Sequence, residues 1–391
     1  MTRLTLLLFL AALLFLIPGQ AMAETEQPVP APGLDEQMHK LDMEEIDRFI
    51  NSMDEETQKS IPGGFSEIVS KLVHRDFDWK PADVFRSIMA GFFREIVANS
   101  ALLGKLVVLA IICAVLQNLS SAFERGGAGQ LTYMVTYLVL VVLAMGSFAL
   151  AVNASREVVD KMVTFMQALL PVLLTLLVAV GGFASAAIFQ PVLFVSLTVI
   201  GTLIKNIVLP LIFLAAVLGI AGNLSPRLKL SNMAGLLKTV AMGILGIFTT
   251  VFLGLLAIQG VAGAVGDGVT LRVIKFSTDA FIPVVGGMFS DALEAIVSSS
   301  LLIKNAVGIA GVVVVVMLMA LPLLKILCLA FIYKLAGAMI QPVGDGQVVD
   351  CLNDLGSSLI SVFAAVSVVG LMFFFAITVV VAVGNFTVML R

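Results

Sequence analysis

The 391-residue chain is 60% apolar and only 13% charged, where a soluble domain carries about 25% charged residues. That deficit argues for contact with lipid and against a water-soluble globular protein. The net charge of −3, with no clustered Lys/Arg patch, excludes nucleic-acid binding, which needs basic groups to neutralise phosphates. Charge is also segregated: residues 24–95 hold 16 of the 26 acidic and 8 of the 23 basic side chains, so the remainder is nearly charge-free.

The N-terminus reads as an export signal. Arg3 follows the start, residues 4–17 are unbroken apolar, Pro18-Gly19 ends that run, and Ala21-Met22-Ala23 supplies a small-x-small site before Glu24. The order predicts a cleaved signal peptide over 1–23, with an uncleaved anchor as the competing reading. Cleavage would leave residue 24 outside the cytoplasm. Residues 24–98 are then expected to be an exported, acidic, amphipathic-helical segment. Pro28, Pro30 and Pro32 mark an extended linker. After it, Leu41, Met43, Ile46, Phe49 and Ile50 recur at helical spacing among acids. A second helix carries Phe65, Ile68, Val69 and Leu72, and a third starts at Pro81 and runs along the membrane surface. His39 and His74 stand too far apart in sequence, with too few ligands beside them, to suggest a metal; no metal or cofactor is expected.

Residues 99–391 read as an all-α, polytopic membrane domain. Apolar blocks cover 99–119, 131–152, 162–182, 185–204, 207–222, 238–262, 306–324, 325–341 and 358–384, and about 20 apolar residues cross a bilayer. Lys205-Asn206 with Pro210, and Pro322 with Lys325, make 185–222 and 306–341 ambiguous: each is two spans or one broken helix. The count is therefore seven to nine. Basic residues favour the cytoplasmic side. Nine spans put the basic 223–237 connection (Arg227, Lys229) inside, the acidic 342–357 connection (Asp345, Asp350, Asp354) outside, and the C-terminus inside. Merging both ambiguous pairs keeps the C-terminus inside but moves 223–237 to the other face.

Catalytic motifs are missing. There is no P-loop, no His-Glu-x-x-His and no Gly-x-Ser-x-Gly, and no histidine falls among the apolar blocks, so no enzyme is expected. Cys113, Cys328 and Cys351 form no Cys-x-x-Cys pair and read as small packing residues. Ionisable groups in or beside spans are the site candidates, because unpaired charge is costly there. Asp291 and Glu294 share a helix face in 281–303, a segment too polar for a lipid-facing span; it is expected to be re-entrant or interfacial, its carboxylates pairing with Lys304, Lys205 or Lys325. Snorkelling of the lysines is the alternative. Gly181, Gly182, Gly286, Gly287, Gly308 and Gly311 are helix-packing candidates. Gly181-Gly182 with Leu-Ile-Lys-Asn at 203–206 echoes Gly286-Gly287 with the same tetrapeptide at 302–305. This is a weak internal repeat of the kind seen in transporters, or chance similarity in a low-diversity sequence.

The block 281–308, with Leu170-Pro171, Gly181-Gly182 and Gly201 through Pro210, resembles the stage III sporulation protein AE family, as does the order of signal peptide, acidic helices and multispan body. The resemblance implies a role in endospore formation, within the mother-cell membrane that surrounds the engulfed forespore. It implies partners in a co-encoded assembly, including an ATPase (the AA protein) and a ring-forming AG protein. It also implies a meeting across the intermembrane space with the forespore's stage II sporulation protein Q. The implied activity is transport through a secretion-like channel or feeding route, with this subunit embedded in the bilayer. An autonomous secondary transporter and a purely structural anchor are the alternatives.

Overall fold

A computed structural model describes residues 43–53, 64–74, 81–122, 127–224, 230–281, 286–342 and 346–389. The expected signal peptide and the proline-rich linker lie outside these residues. All regular structure among the described residues is helical.

Two short amphipathic helices come first. In α1 (Glu44–Asn51), Ile46 and Ile50 are buried while Glu44 and Arg48 pair at 2.5 Å on the exposed face. In α2 (Gly64–Val73), Phe65, Ile68, Val69 and Val73 are buried. Asp47 fixes the corner between them. Its carboxylate accepts from the Phe65 N–H at 2.8 Å, the Ser66 N–H at 3.3 Å and the Ser66 hydroxyl. This closes the open donors at the start of α2. Gly64 adopts φ +82°, which a side chain would disfavour. The apolar faces of α1 and α2 belong to the same core as the long helices: Phe49 and Phe65 each pack on Phe165 with ring centroids 6.2 Å apart.

Helix α3 (Pro81–Ala98) bends by 50° into α4 (Ser100–Ala122). Asn99 sits at the break and donates to the Glu95 carbonyl at 2.9 Å. The long elements follow: α5 (Gly127–Ala179), α6 (Phe183–Leu203), a π-turn (Ile204–Val208) leading into α7 (Leu209–Leu224), α8 (Ser231–Phe281), α9 (Gly286–Ile340) and α10 (Gly346–Met389). Among the described residues, five stretches are long and apolar enough to cross a membrane: Met134–Ala179, Phe183–Asn223, Ser231–Val269, Ile296–Ile340 and Gly346–Phe386. The bent α3–α4 pair makes a sixth. The chain is a polytopic helical membrane protein.

Blocks that look separate in the sequence are therefore joined. Residues 131–152 and 162–179 fall in one helix, α5, because the polar residues between them do not break it. Ser155 bonds back to the Ala151 carbonyl, Lys161 pairs with Glu157 at 2.9 Å, and Asp160 finds a partner on the neighbouring helix. Pro191 and Pro322 are absorbed inside α6 and α9. Pro210 cannot donate an N–H and crowds the preceding turn; the wider π-turn just before it gives the room. Both ambiguous pairs are thus single continuous elements. The five stretches run 39 to 46 residues, about twice what one crossing requires.

The long helices alternate in direction. Tyr333 on α9 donates to the Ala144 carbonyl on α5 at 2.9 Å, and Phe148 stacks on Phe213 of α7 at 5.8 Å. Gly308 of α9 lies against Val381 of α10, and Gly370 of α10 lies against Met319 of α9. One end of the bundle carries the end of α7, the start of α8, the end of α9 and the start of α10; the other carries the Gly181-Gly182 turn, the end of α8 and the start of α9. This corrects the opposed placement of the 223–237 and 342–357 connections. Asn223 donates to Asp354 at 3.2 Å, and Lys238 lies in the electrostatic reach of Asp354 and Lys334. With 306–341 a single helix, two crossings rather than three separate the connections, so they share a face.

Candidate functional site

Polar groups in an apolar bundle concentrate at three levels. At the shared end just described, Asn223, Lys238, Asp354 and Lys334 gather, and Lys334 donates to the Ser357 hydroxyl at 3.1 Å. Halfway along, Lys205 in the π-turn reaches both carboxylate oxygens of Asp160 at 2.7 Å. At the opposite end lies the most enclosed set.

There, the turn between α5 and α6 is closed by glycine. Gly181 adopts φ +95°, its N–H meets the Val178 carbonyl at 2.9 Å, and the Gly182 N–H meets the Leu177 carbonyl at 2.8 Å. These two bonds are the Schellman arrangement. The open N–H groups at the start of α6 are met from α8. Asp267, fully buried, accepts from the Ala184 N–H at 2.8 Å and the Ser185 N–H at 3.3 Å. Gly263 permits that approach, since a Cβ there would collide with the Ser185 side chain.

Lys304 on α9 is likewise fully buried, and its Nζ donates to the Val381 carbonyl of α10 at 2.8 Å. Gly384 leaves the space for it: an added Cβ would overlap Nζ and stand 3.2 Å from Leu177. Oxygens of Asn305, Asn385, Ser185 and Gln259 are buried without a hydrogen-bond partner. Buried polar atoms ordinarily find partners, so this end of the bundle holds unused capacity to bind. Among the described residues, no cluster of His, Cys, Asp or Glu could hold a metal ion.

The described sequence candidates lie at separate levels of the bundle. Lys205 pairs with Asp160. Because α9 is continuous, its rise of about 1.5 Å per residue puts Asp291 and Glu294 roughly 20 and 15 Å from Lys304 along the axis, and roughly 51 and 46 Å from Lys325. The side chains of Asp291 and Glu294, and the surroundings of Gly286 and Gly287, lie outside the described set. Lys325 is half-buried beyond Pro322. Gly308 and Gly311 sit at close contacts with Val381 on α10 and Leu169 on α5, while Gly181 and Gly182 make the turn rather than a helix contact.

Sequence reasoning missed Asp160, Asp267, Asn305, Asn385 and Asp354. Asp267 carried a usable signal: a lone acid inside a glycine-rich apolar run, Gly260 to Gly268. Asn385 carried none beyond being polar near the end of an apolar block.

Comparison with known proteins gives a consistent result. The family model for stage III sporulation protein AE matches residues 64–384. The stage III sporulation protein AE of Bacillus subtilis (strain 168) is 42% identical over 351 residues, covering 90% of this chain and 88% of that protein. No solved structure matches. A shared sequence over nine-tenths of the chain, including every long helix, means that this membrane protein belongs to the stage III sporulation protein AE family.

Proposed function

We propose that the chain is a membrane subunit of a sporulation-specific transport complex linking mother cell and forespore, required for forespore development after engulfment. The observation that carries this reading is near-complete similarity to a sporulation protein in a chain whose bulk is a membrane-crossing helix bundle. The subunit has no enzymatic role of its own; energy comes from a partner, the AA ATPase of the same assembly. The AG ring protein and the forespore's stage II sporulation protein Q are met directly or through other members. The mature N-terminus faces the intermembrane space. There the acidic surface of α1, docked on the bundle with α2 by their apolar faces, is available to partners.

An autonomous secondary transporter is the second reading. The enclosed Lys304, bonded to the Val381 carbonyl, and the unpartnered buried amide oxygens of Asn305 on α9 and Asn385 on α10 favour that reading over a purely structural anchor.

The test is replacement of the Bacillus subtilis relative by this chain, with photocrosslinkers placed on the exposed faces of α1 and α2. Restored spore formation together with crosslinks to other stage III proteins supports the complex. Stable membrane insertion without either result rejects it, and solute flux by the chain alone in liposomes would favour the transporter.

A further inference from the structure

Lys304 is fully enclosed, and one backbone oxygen, that of Val381, receives its Nζ. An ammonium carries three N–H donors. Two more acceptors, Asn305 Oδ1 and Asn385 Oδ1, are buried and idle. Both belong to the α9–α10 seam. Gly308, in contact with Val381, is one turn from Lys304 and three residues from Asn305; Asn385 follows Val381 by one turn. Gly384 holds the space in which Nζ lies.

The neighbouring elements supply little charge. The packed half of α5, from Met162 to its end, and all of α6 contain no titratable residue. On α8, Asp267 is committed to the start of α6, with Arg272, Lys275 and Asp279 further along. On α10, Asp350 and Asp354 are roughly 40 Å or more from Val381 along the helix, and on α9 itself Asp291 and Glu294 are roughly 15 to 20 Å from Lys304. On α2, Glu67 and Lys71 pair with each other at 2.5 Å. Among the described residues, then, no carboxylate meets Lys304.

We propose that Lys304, the Val381 carbonyl, Asn305 and Asn385 form a proton-binding station inside the membrane bundle. The neutral amine uses its lone pair to take a proton from a hydronium ion, a new N–H bond forms, and a water molecule leaves. The resulting ammonium keeps Val381 and draws in the two idle amide oxygens, which meet a charge that would otherwise be costly at membrane depth. Giving the proton back releases them. The two asparagines lie on different helices, so each uptake and release tightens and loosens the α9–α10 seam. The inference deepens the transport reading and depends on it only for biological use.

The test uses the full-length chain, labelled with ¹⁵N at lysine Nζ, in lipid bilayers. Solid-state NMR follows amine and ammonium resonances between about pH 5 and about pH 10. One lysine signal is expected to change form across this range. It is expected to be absent in Lys304→Met and fixed as ammonium throughout in Asn385→Asp, whose carboxylate would hold the charge. A Lys304 signal that stays in one form overturns the proposal, and so does a moving signal that survives Lys304→Met. Should Lys304→Met fail to accumulate, an unchanged transition in Asn385→Asp overturns it equally. No partner is needed, so failure here leaves the complex reading standing, and loss of partner crosslinks leaves the station standing.

Discussion

Lys205 and Asp160 form a two-pronged ion pair between the π-turn and the middle of α5, with both carboxylate oxygens 2.7 Å from Nζ. The pair joins the two places where the apolar pattern is interrupted, so each charge explains why the other is tolerated. Both side chains remain partly uncovered by protein, 38% and 53%, so in detergent the coupling should resemble that of a surface pair, about 0.5–1 kcal/mol. Asp160→Asn and Lys205→Met are each expected to lower the unfolding midpoint, and the double variant to lose less than their sum. A double-mutant cycle measured by thermal unfolding in micelles checks this; strict additivity would mean that the pair contributes nothing.

Asp267 caps a helix whose first residue is more than eighty positions earlier in the chain. Removing its carboxylate strands two backbone donors in a buried place. Asp267→Ala is expected to cost about 2 kcal/mol, and Asp267→Asn, which still offers one oxygen, about 1 kcal/mol. Thermal unfolding of the three proteins side by side gives the ranking. Equal loss for Asn and Ala would mean that the charge, rather than the acceptor, secures α6.

The shared end of the bundle makes a topological prediction. Cysteines introduced at Asn232 and Gly346, both exposed, should react with a membrane-impermeant thiol reagent from one face of the membrane. A cysteine at the exposed Phe183 should react from the other face. The native Cys113, Cys328 and Cys351 are buried and should stay silent. Labelling of 232 and 346 from opposite faces would restore the separation that the loop charges alone suggest.

That contrast marks where the sequence was readable. Helix type, membrane class and the amphipathic faces of α1 and α2 follow from composition and spacing, which report burial directly. The joining of blocks does not, because a polar stretch such as 153–161 ends a span only when its groups lack partners, and Lys205 is 45 residues away from the carboxylate that it satisfies. The nine-span placement of the two connections on opposite faces fails for the same reason: merging 306–341 changes the parity between them, as the merged alternative has it, and Asp354 meets Asn223 at a single end. The Gly-Gly pairs of the echo stand at the starts of α6 and α9, while the first Leu-Ile-Lys-Asn straddles the end of α6 and the π-turn and the second lies inside α9. Their lysines lie in different surroundings, however, one bonded to Asp160 and the other enclosed against Val381, so the likeness does not reach the chemistry. The polar set around Lys304 draws on α9 and α10, a juxtaposition that no local pattern encodes.

Glycines separate into those that pack and those that face outward, and substitution should tell them apart. A Cβ on Gly308 would run into Val381, and one on Gly311 into Leu169. Overpacking of this kind costs about 1–3 kcal/mol even for small additions, so Gly308→Val should lower accumulation in the membrane and the unfolding midpoint together. Gly243 and Gly254 on α8 have open space where a Cβ would go, and glycine inside a helix is worse than alanine by about 0.5–1 kcal/mol. Gly243→Ala and Gly254→Ala are therefore expected to leave the midpoint unchanged or raise it. The same four proteins tested for spore formation in the replacement strain add a second readout. Loss of spores in Gly254→Ala with an unchanged midpoint would mean that this outward face of α8 lies against a partner rather than against lipid.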